Sequence, residues 1–442
     1  MALDLLIRGG RVVDTSQGID MVADVHVRDG LIAGIVPTGE PGPENGHRDG
    51  QVIDAPGCIV SPGFVDLHCH LREPGQEDKE TIATGTRAAA RGGFTTVCPM
   101  ANTIPPVDSR SVAEYVLKTA RAVGVVRVLP IAAVTKKLAG QELTEMGDLV
   151  EAGVVAFSDD GKPIVNSRVM RSALEYSRMF DRPIIPHEED PDLVEGGVMN
   201  EGPVATRLGL KGWPAVGEEA MLARDLQLAE LTGGRLHVAH VSTAGSVALI
   251  REAKARGVRV TAEATPHHLA LTDEWVAGLI WDGKRIPPYD TNTKMNPPLR
   301  SEADRQALIA GLKDGTIDAI ATDHAPHTVV DKQCEYDFAA FGITGFETAL
   351  ATILRLVRNE ELDLRLALAK LTHGPARAFG LAAGTLRVGM PADITVFSPN
   401  LRWTVDPKEG ASKGHNTPLA GLQLAGRVVA TIVGGELVYS AR

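Results

Sequence analysis

The hydrophobic positions divide the chain into three stretches with different periodicity. In roughly the first sixty residues, short apolar runs end at turn residues such as Asp29-Gly30. This pattern predicts short β-strands joined by tight turns. After about Gly384 the pattern returns, because residues 392–397 alternate and the apolar run 428–433 ends at a glycine pair. We therefore expect strands from both ends of the chain to form one small β domain.

Between these ends, short apolar runs alternate with segments of helical length. The runs number eight and occupy residues 63–66, 95–97, 126–129, 154–157, 183–185, 236–239, 258–261 and 317–320. Eight strand–helix units over some 300 residues are typical of a (β/α)8 barrel. We predict an α/β protein with a TIM-like barrel over residues 62–384. Residues 1–61 and 385–442 are predicted to form a flanking β-sandwich domain.

Composition excludes several classes of protein. The chain has 442 residues, of which 44% are hydrophobic and 23% charged, as in globular proteins. Its formal net charge of -11 argues against nucleic acid and anionic membranes as partners. It has four cysteines, without CxxC spacing, and no apolar run of membrane-spanning length. These features favour a cytoplasmic protein with reduced thiols.

The strongest chemical signal is His68-Cys-His70 at the end of the first predicted barrel strand. Alternate side chains of a strand share a face, so the two imidazoles should project together. Paired imidazoles can bind zinc, and barrel enzymes place their chemistry at the C-terminal ends of the strands. We therefore predict that His68 and His70 are metal ligands.

Other strand ends carry further candidate ligands. His187 and His240 each stand where an apolar run ends, and Asp323 follows the last predicted barrel strand. A carboxylate there can bind a metal and accept a proton from water. An aspartate of the pair Asp159-Asp160 could bridge two metals, but strand parity does not choose between them. His237 has the opposite parity to His240, and His324 neighbours Asp323, so both favour structural roles.

Taken together, the motifs resemble the dihydroorotase family of the amidohydrolase superfamily, in its longer bacterial type related to the multifunctional pyrimidine enzymes. The resemblance covers essentially the whole chain. The motifs that carry it are His68-Cys-His70-Leu-Arg72-Glu-Pro-Gly, Cys98-Pro-Met-Ala-Asn102-Thr, Lys294-Met-Asn296-Pro-Pro-Leu-Arg300, and Ala321-Thr-Asp323-His-Ala-Pro-His327 with Lys332.

This resemblance implies one or two zinc ions and assigns the ligands. It implies His68, His70 and Asp323 on one metal, His187 and His240 on the other, and Asp160 in preference to Asp159 between them. An aspartate then takes the place of the carboxylated lysine found in many superfamily members, and Lys162 is interpreted as a loop lysine. The residues implied to face or hold the substrate are His70, Arg72, Asn102, Asn296 and His327, with the backbone near Phe341 and Gly342.

The activity implied is the reversible cyclisation of N-carbamoyl-L-aspartate to (S)-dihydroorotate plus water in de novo pyrimidine synthesis. Arg72 could bind the substrate carboxylate through two parallel hydrogen bonds. A homodimer or a complex with aspartate carbamoyltransferase is implied as an assembly. The alternatives are another cyclic amidase, an allantoinase or a hydantoinase, and a non-catalytic scaffold for aspartate carbamoyltransferase.

Some residues stay open at this point. Lys294 and Arg300 flank Asn296 and are predicted to be surface charges or members of ion pairs. The segment 328–343 could be a mobile flap or an ordinary ordered loop. His267 and His268 follow a predicted strand and have no assigned role.

Overall fold

The structure is a computed structural model that describes residues 4–40, 42 and 50–441, so residues 1–3, 41, 43–49 and 442 of the predicted β domain lie outside the described part. The described strands are β1 (Leu5–Asp14), β2 (Ile19–Arg28), β3 (Leu31–Pro37), β4 (Gln51–Asp54), β5 (Ile59–Pro62), β6 (Phe64–Cys69), β7 (Phe94–Pro99), β8 (Arg127–Val128), β9 (Ile131–Ala132), β10 (Ala156–Ser158), β11 (Ile184–Ile185), β12 (Met199–Asn200), β13 (Gly212–Trp213), β14 (Leu236–Val238), β15 (Val260–Ala264), β16 (Ile280–Trp281), β17 (Lys284–Arg285), β18 (Ala319–Ile320), β19 (Ile394–Thr404), β20 (Gln423–Val433) and β21 (Glu436–Ser440).

The helices lie mostly between these barrel strands. They are α1 (Ile82–Arg91), α2 (Arg110–Val123), α3 (Met146–Ala152), α4 (Ser167–Ser177), α5 (Pro191–Val194), α6 (Pro203–Leu208), α7 (Val216–Thr232), α8 (Ala244–Ala255), α9 (Pro266–Ala270), α10 (Glu274–Ala277), α11 (Glu302–Asp314), α12 (Val329–Lys332), α13 (Phe346–Arg358), α14 (Leu364–Leu371) and α15 (His373–Phe379). Single 3-10 turns occupy Lys136–Leu138, Arg178–Phe180, Thr291–Thr293 and Pro407–Glu409. No helix in the described ranges is long and apolar enough to cross a membrane.

Strands from both ends of the chain form one eight-stranded sheet. Its order is β21-β20-β19-β5-β1-β2-β3, and β4 pairs with β1. Strand β5 lies between the N-terminal and C-terminal strands of this sheet, where it pairs parallel with β1 and antiparallel with β19. Alternate residues of these strands are buried, as the alternating sequence pattern requires for a sheet with one covered face. The predicted terminal β domain is confirmed, whereas its exact limits at residues 61 and 385 stay a prediction.

The middle of the chain forms the predicted barrel from parallel strands. One group has the order β6-β7-β8, and the other has the order β9-β10-β11-β14-β15-β18. Pro130 separates β8 from β9, and these two pieces together take the place of one barrel strand because β8 pairs with β7 and β9 pairs with β10. A parallel bridge between Cys69 and His324 closes the barrel. In this bridge the His70 backbone N–H donates to the His324 carbonyl at 2.8 Å.

Aromatic side chains join the terminal sheet to the barrel. The Phe64 ring in β6 lies 5.7 Å from the Phe94 ring and 6.3 Å from the Phe397 ring of β19. Phe346 at the start of α13 packs against Phe94 at 5.5 Å. All four side chains are fully buried. The first barrel strands and the C-terminal strands therefore share one hydrophobic core.

Candidate metal centre and substrate cavity

The six predicted metal ligands all lie at the C-terminal mouth of the barrel. Each lies within β6 or within three residues after the end of a barrel strand, and all are buried. Parallel strands of a closed barrel end at the same mouth, so ligands far apart in the sequence meet there. The six residues are His68, His70, Asp160, His187, His240 and Asp323.

One group of donors surrounds His68 and Asp323. The Nε2 atom of His68 lies 3.5 Å from Asp323 Oδ1 and 3.5 Å from Asp160 Oδ1. The Nε2 atom of His70 lies 3.1 Å from Asp323 Oδ1 and 3.6 Å from Asp160 Oδ2. One donor atom from each of His68, His70 and Asp323 lies within 4.8 Å of the others, a spacing that allows a shared cation.

Asp160 also contacts the second pair of imidazoles. Its Oδ1 atom lies 3.5 Å from His187 Nδ1 and 3.7 Å from His240 Nε2, and these two nitrogens are 3.2 Å apart. Asp159 points elsewhere, because its Oδ1 atom accepts the backbone N–H groups of Val134 and Thr135. Asp160 is therefore the member of the pair that lies between both groups of donors.

The electrostatics of the cluster favour a cation. Burial by itself lowers the pKa of His68, yet the carboxylates of Asp323 and Asp160 raise it to about 10. The buried His68 Nε2 atom has no hydrogen-bond partner among the described residues, although it faces these carboxylates. The backbones of His240 and Asp323 have positive φ angles of 30° and 43°, and strained conformations of this kind occur at functional sites. The donor set therefore fits a metal ion bound by nitrogen and oxygen.

Beside the cluster lies a cavity of about 300 Å³. Arg72, Asn102, Asn296, His327 and Phe341, all predicted to hold substrate, line it together with His70. The remaining lining residues are Asp160, Gly161, His187, His240, Met295, Asp323 and Ala325. Gly342 is not among them, and its N–H donates to the Lys294 carbonyl at 2.9 Å.

Arg72 is the cationic side chain of this cavity. Its buried guanidinium donates from Nε to the Pro326 carbonyl at 3.2 Å and lies 3.4 Å from His327 Nε2. Among the described residues, no carboxylate lies within 4.0 Å of it. Burial lowers its pKa from the ordinary arginine value. An anionic ligand in the cavity would supply the missing counter-charge.

The side-chain amides of Asn102 and Asn296 differ in how many of their polar atoms have a hydrogen-bond partner. Asn102 bonds through Oδ1 to His70 Nδ1 at 3.0 Å and donates from Nδ2 to Asp160 at 3.1 Å, so it holds two ligands of the cluster. Asn296 donates to Glu189 at 3.0 Å, but its buried Oδ1 atom has no partner in the described part of the chain. That oxygen is available to accept a hydrogen bond from a ligand.

Comparison with known proteins places the chain in a family. Residues 57–246 match the family described as "Dihydro-orotase-like", and residues 217–439 match the "Amidohydrolase family". The chain is 55% identical over 435 residues to a dihydroorotase of Anaeromyxobacter dehalogenans, covering 98% of both chains. It is 53% identical over 441 residues to a dihydroorotase of Pelotomaculum thermopropionicum, covering 100% of this chain and 99% of that one.

The chain belongs to the dihydroorotase family. Solved structures of related amidohydrolases share its fold. An L-hydantoinase from Arthrobacter aurescens superposes with a TM-score of 0.86 at 25% identity, covering 99% of this chain and 96% of the other. A dihydropyrimidinase from Brevibacillus agri gives 0.83 at 22% identity, covering 99% and 95%. As a dihydroorotase family member the protein is a cyclic amide hydrolase, and the predicted barrel fold is confirmed.

Two carboxylates that support the cluster were not predicted from the sequence. Glu263 of β15 accepts from His68 Nδ1 at 2.9 Å and from His237 Nε2 at 3.0 Å. Burial would raise the pKa of Glu263, but the two imidazoles lower it to about 2. Glu189 lies 2.9 Å from His187 Nε2. A glutamate inside an apolar strand was the available signal for Glu263, because a buried charge requires partners.

Most histidines outside the predicted ligand set make structural hydrogen bonds. His237 is hydrogen-bonded as expected, to Glu263 and Thr261. His324 stacks on Phe346 at 4.2 Å and accepts the Gly345 N–H, so its contacts are structural. His268 bonds through both ring nitrogens, to Thr265 and to the Pro297 carbonyl. The buried Nε2 atom of His267 has no partner among the described residues.

Lys294 and Arg300 were predicted to be surface charges or members of ion pairs; the surface alternative was wrong, and Arg300 has an ion-pair partner in Glu218. They are 2% and 3% exposed, respectively. Lys294 donates to the Asp337 carbonyl and lies 4.5 Å from the centre of the Phe341 ring. Arg300 donates to the Trp213 carbonyl and to Asn200, and its nearest carboxylate, Glu218, is 3.9 Å away. Carbonyl groups and an aromatic face from distant segments accommodate these cations, and their sequence neighbours give no sign of such partners.

Proposed function

We propose that the protein is a zinc-dependent dihydroorotase that interconverts N-carbamoyl-L-aspartate and (S)-dihydroorotate in de novo pyrimidine synthesis. The observation that carries the proposal is the position of Arg72. In a chain 55% identical to a dihydroorotase, this buried cation lines the same cavity as the histidine and aspartate cluster. A substrate with a carboxylate beside a cyclic amide could contact both.

Zinc is the metal we assign to the cluster. Four imidazoles and two carboxylates suit zinc among the metals of hydrolases. We propose that His68, His70 and Asp323 hold one site, that His187 and His240 hold a second, and that Asp160 lies between them. When bound, zinc would polarise the amide carbonyl and lower the pKa of water. One or two ions are compatible with this donor set.

The protein's own proton-transfer group is Asp323. In the hydrolytic direction, Asp323 accepts a proton as water oxygen adds to the ring amide carbonyl carbon. The carbon–nitrogen bond then breaks, and Asp323 returns the proton to the departing ring nitrogen. The product is N-carbamoyl-aspartate, and the reverse sequence closes the ring and releases water. Burial raises the pKa of Asp323, but His68 and His70 lower it below the ordinary value, so it is ionised and able to accept.

The residues that line the cavity would orient the substrate. The Arg72 guanidinium would bind the substrate carboxylate, and the unpartnered Asn296 Oδ1 would accept a ring N–H. His327 and the backbone near Phe341 and Gly342 would close the same end of the site. His70 and Asn102 would face the substrate from the metal side, where Asn102 also holds His70.

The test is a comparison of substrates and of one variant. Zinc-loaded protein should turn over dihydroorotate much faster than hydantoin or allantoin. Asp323→Asn should lower kcat by about 10²–10⁴-fold, as loss of a general base does. Zinc per chain and the circular dichroism spectrum of the variant are the controls. Faster turnover of hydantoin or allantoin would replace the proposed substrate, and a wild-type chain without any turnover would favour a non-catalytic scaffold.

We also infer a cytoplasmic location, supported by four cysteines that are all free in the structure. A homodimer or a complex with aspartate carbamoyltransferase is proposed from the family resemblance alone. Light scattering of the purified chain, with and without that enzyme, would distinguish these assemblies from a monomer.

A further inference from the structure

A segment of the terminal sheet region reaches back to the barrel mouth. Residues 405–422 connect β19 to β20, and within them Asn416 is 3% exposed. Its Oδ1 atom accepts the His327 N–H at 2.9 Å. Its Nδ2 atom donates to the carbonyls of Ala325 and Gly342 at 2.9 and 3.0 Å. The acceptor faces an N–H and the donor faces two carbonyls, so the orientation of the amide is determined by its partners.

These three bonds join two different loops of the cavity. Ala325 and His327 belong to the loop after β18, whereas Gly342 lies at the C-terminal end of the segment 328–343, next to its last residue. Ala325, His327 and Phe341 line the cavity. The backbone carbonyl of Asn416 also accepts the Thr344 N–H at 2.9 Å, which extends the connection along the second loop.

The loops approach one another too closely for side chains to separate them. A Cβ atom at Gly342 would lie 2.7 Å from both the Ala325 carbonyl oxygen and His327 Cδ2. A Cβ atom at Gly414, two residues before Asn416, would lie 2.5 Å from the Pro326 Cβ atom. His327 Nε2 in turn bonds to the Phe341 carbonyl at 2.8 Å. A shift of the Asn416 amide would therefore be transmitted directly to the His327 ring.

We propose that Asn416 is a positioning residue for substrate binding, contributed to the barrel mouth by the C-terminal β region. It acts through His327 and the Phe341–Gly342 backbone, so the inference rests on the proposed function that gives those groups to the substrate. Removing the amide would leave an N–H and two carbonyls unpaired and let the two loops separate. The hydrogen bonds of Asn416 to the described residues reach none of the proposed metal ligands, so zinc binding should be preserved.

The test uses two variants of the full-length, zinc-loaded chain. Asn416→Ala removes all three bonds, and Asn416→Asp keeps the shape but places an oxygen against the two carbonyls. In both we expect the KM for dihydroorotate to rise about tenfold while kcat changes less than about threefold, because uniform binding is lost. Zinc per chain should equal that of the wild type.

Asp14→Asn is the matched control. Asp14 is also fully buried and also joins distant segments, through the Ser16 and Leu386 N–H groups, but it lies in the terminal sheet away from the cavity. We expect this variant to have a lower melting temperature and an unchanged KM. Unchanged KM in the folded Asn416 variants, zinc loss from them, or failure of both to fold would each overturn the inference. A wild-type chain inactive on dihydroorotate would instead overturn the proposed function, and the inference with it.

Discussion

Two carboxylates, the buried Glu263 and the partly buried Glu189, determine how imidazoles of the cluster are oriented. Glu263 holds the Nδ1 side of His68 and leaves Nε2 facing Asp160 and Asp323. Glu189 holds the Nε2 side of His187 and leaves Nδ1 facing Asp160. Partners of this kind select the ring tautomer that can bind a metal.

Glu263→Gln should therefore weaken metal binding. The amide offers one acceptor oxygen, so either His68 or His237 would face its NH2 group instead. We expect zinc affinity to fall about 10–100-fold, as for other residues that orient metal-bound histidines. Competition with a chromophoric chelator measures this directly. Glu347→Gln is the control, because Glu347 bonds to Arg91 and the Ala411 N–H away from the cluster; a wild-type affinity for Glu263→Gln would contradict the role given to Glu263.

His268 should make stability dependent on pH. Burial lowers its folded-state pKa well below the ordinary value. Between the folded and unfolded pKa values only the unfolded chain binds the proton, so stability falls as the pH falls through about 6.5. From pH 7.5 to 5.5 the wild type should lose about 1.4 kcal/mol more than His268→Gln. Urea unfolding of both chains at the two pH values checks this, and equal losses would refute it.

Strand parity predicted much of the site, but only for side chains on regular strands. His68 in β6 and His70 directly after it follow the alternation, and His237 was separated from His240 on the same basis. Asp159 and Asp160 lie after β10 has ended, where alternation no longer applies, and only the family resemblance favoured Asp160. The role of Asn416 was not predicted. Its partners are backbone groups of remote loops, and the residues next to Asn416 in the sequence do not indicate them.

At the scale of elements, one buried lysine connects the segment 328–343 to a neighbouring loop through hydrogen bonds. Lys332 of α12 donates to the carbonyls of Thr291, Lys294 and Ala340 at 3.1, 3.2 and 2.6 Å. Burial lowers its pKa to about 7. The segment is thus tied to the loop that carries Asn296.

Lys332→Met should loosen this segment without unfolding the barrel. The thioether side chain fills similar space but leaves the Ala340 carbonyl without a donor and removes one of the two donors to each of the Thr291 and Lys294 carbonyls. We expect hydrogen exchange to accelerate at the Ala340 and Gly342 amides, which bond to Asp331 and Lys294, and KM to rise. Exchange mass spectrometry resolves the segment. Val330→Ala on the same helix, at an 81% exposed position, should exchange as the wild type does; equal exchange in both variants would argue against the lysine.

At the scale of the whole molecule, the terminal sheet and the barrel should unfold together. Phe397 of β19 is fully buried against Phe64 of the first barrel strand. Phe397→Ala should lower the free energy of unfolding by about 3–5 kcal/mol. Calorimetry should still show a single transition, with a lower midpoint temperature. Leu401→Ala, at a 44% exposed position of the same strand, should cost less than about 0.5 kcal/mol. Two separate transitions in the Phe397 variant would show that the regions are independent.

The overall architecture was predictable because it depends on periodicity and strand count. The eight apolar runs correspond to the barrel strands, and the alternating ends correspond to the terminal sheet. The break at Pro130 between β8 and β9 was not predicted, since the two pieces continue one apolar run. The burial of Lys294 and Arg300 was missed for a related reason, because tertiary partners outweigh the preference of these residues for water.

The closure of the barrel has a consequence for the order of events after synthesis. His70 and Asp323 are 253 positions apart, and the backbone bridge between Cys69 and His324 joins the first barrel strand to the loop after the last one. A ribosome-bound chain that ends before Asp323 lacks this closure and the carboxylate that faces both N-terminal imidazoles. Under the proposed ligand assignment, the ion can be captured in its final site only once nearly three quarters of the polypeptide has emerged, so metal loading is a late step in the protein's maturation.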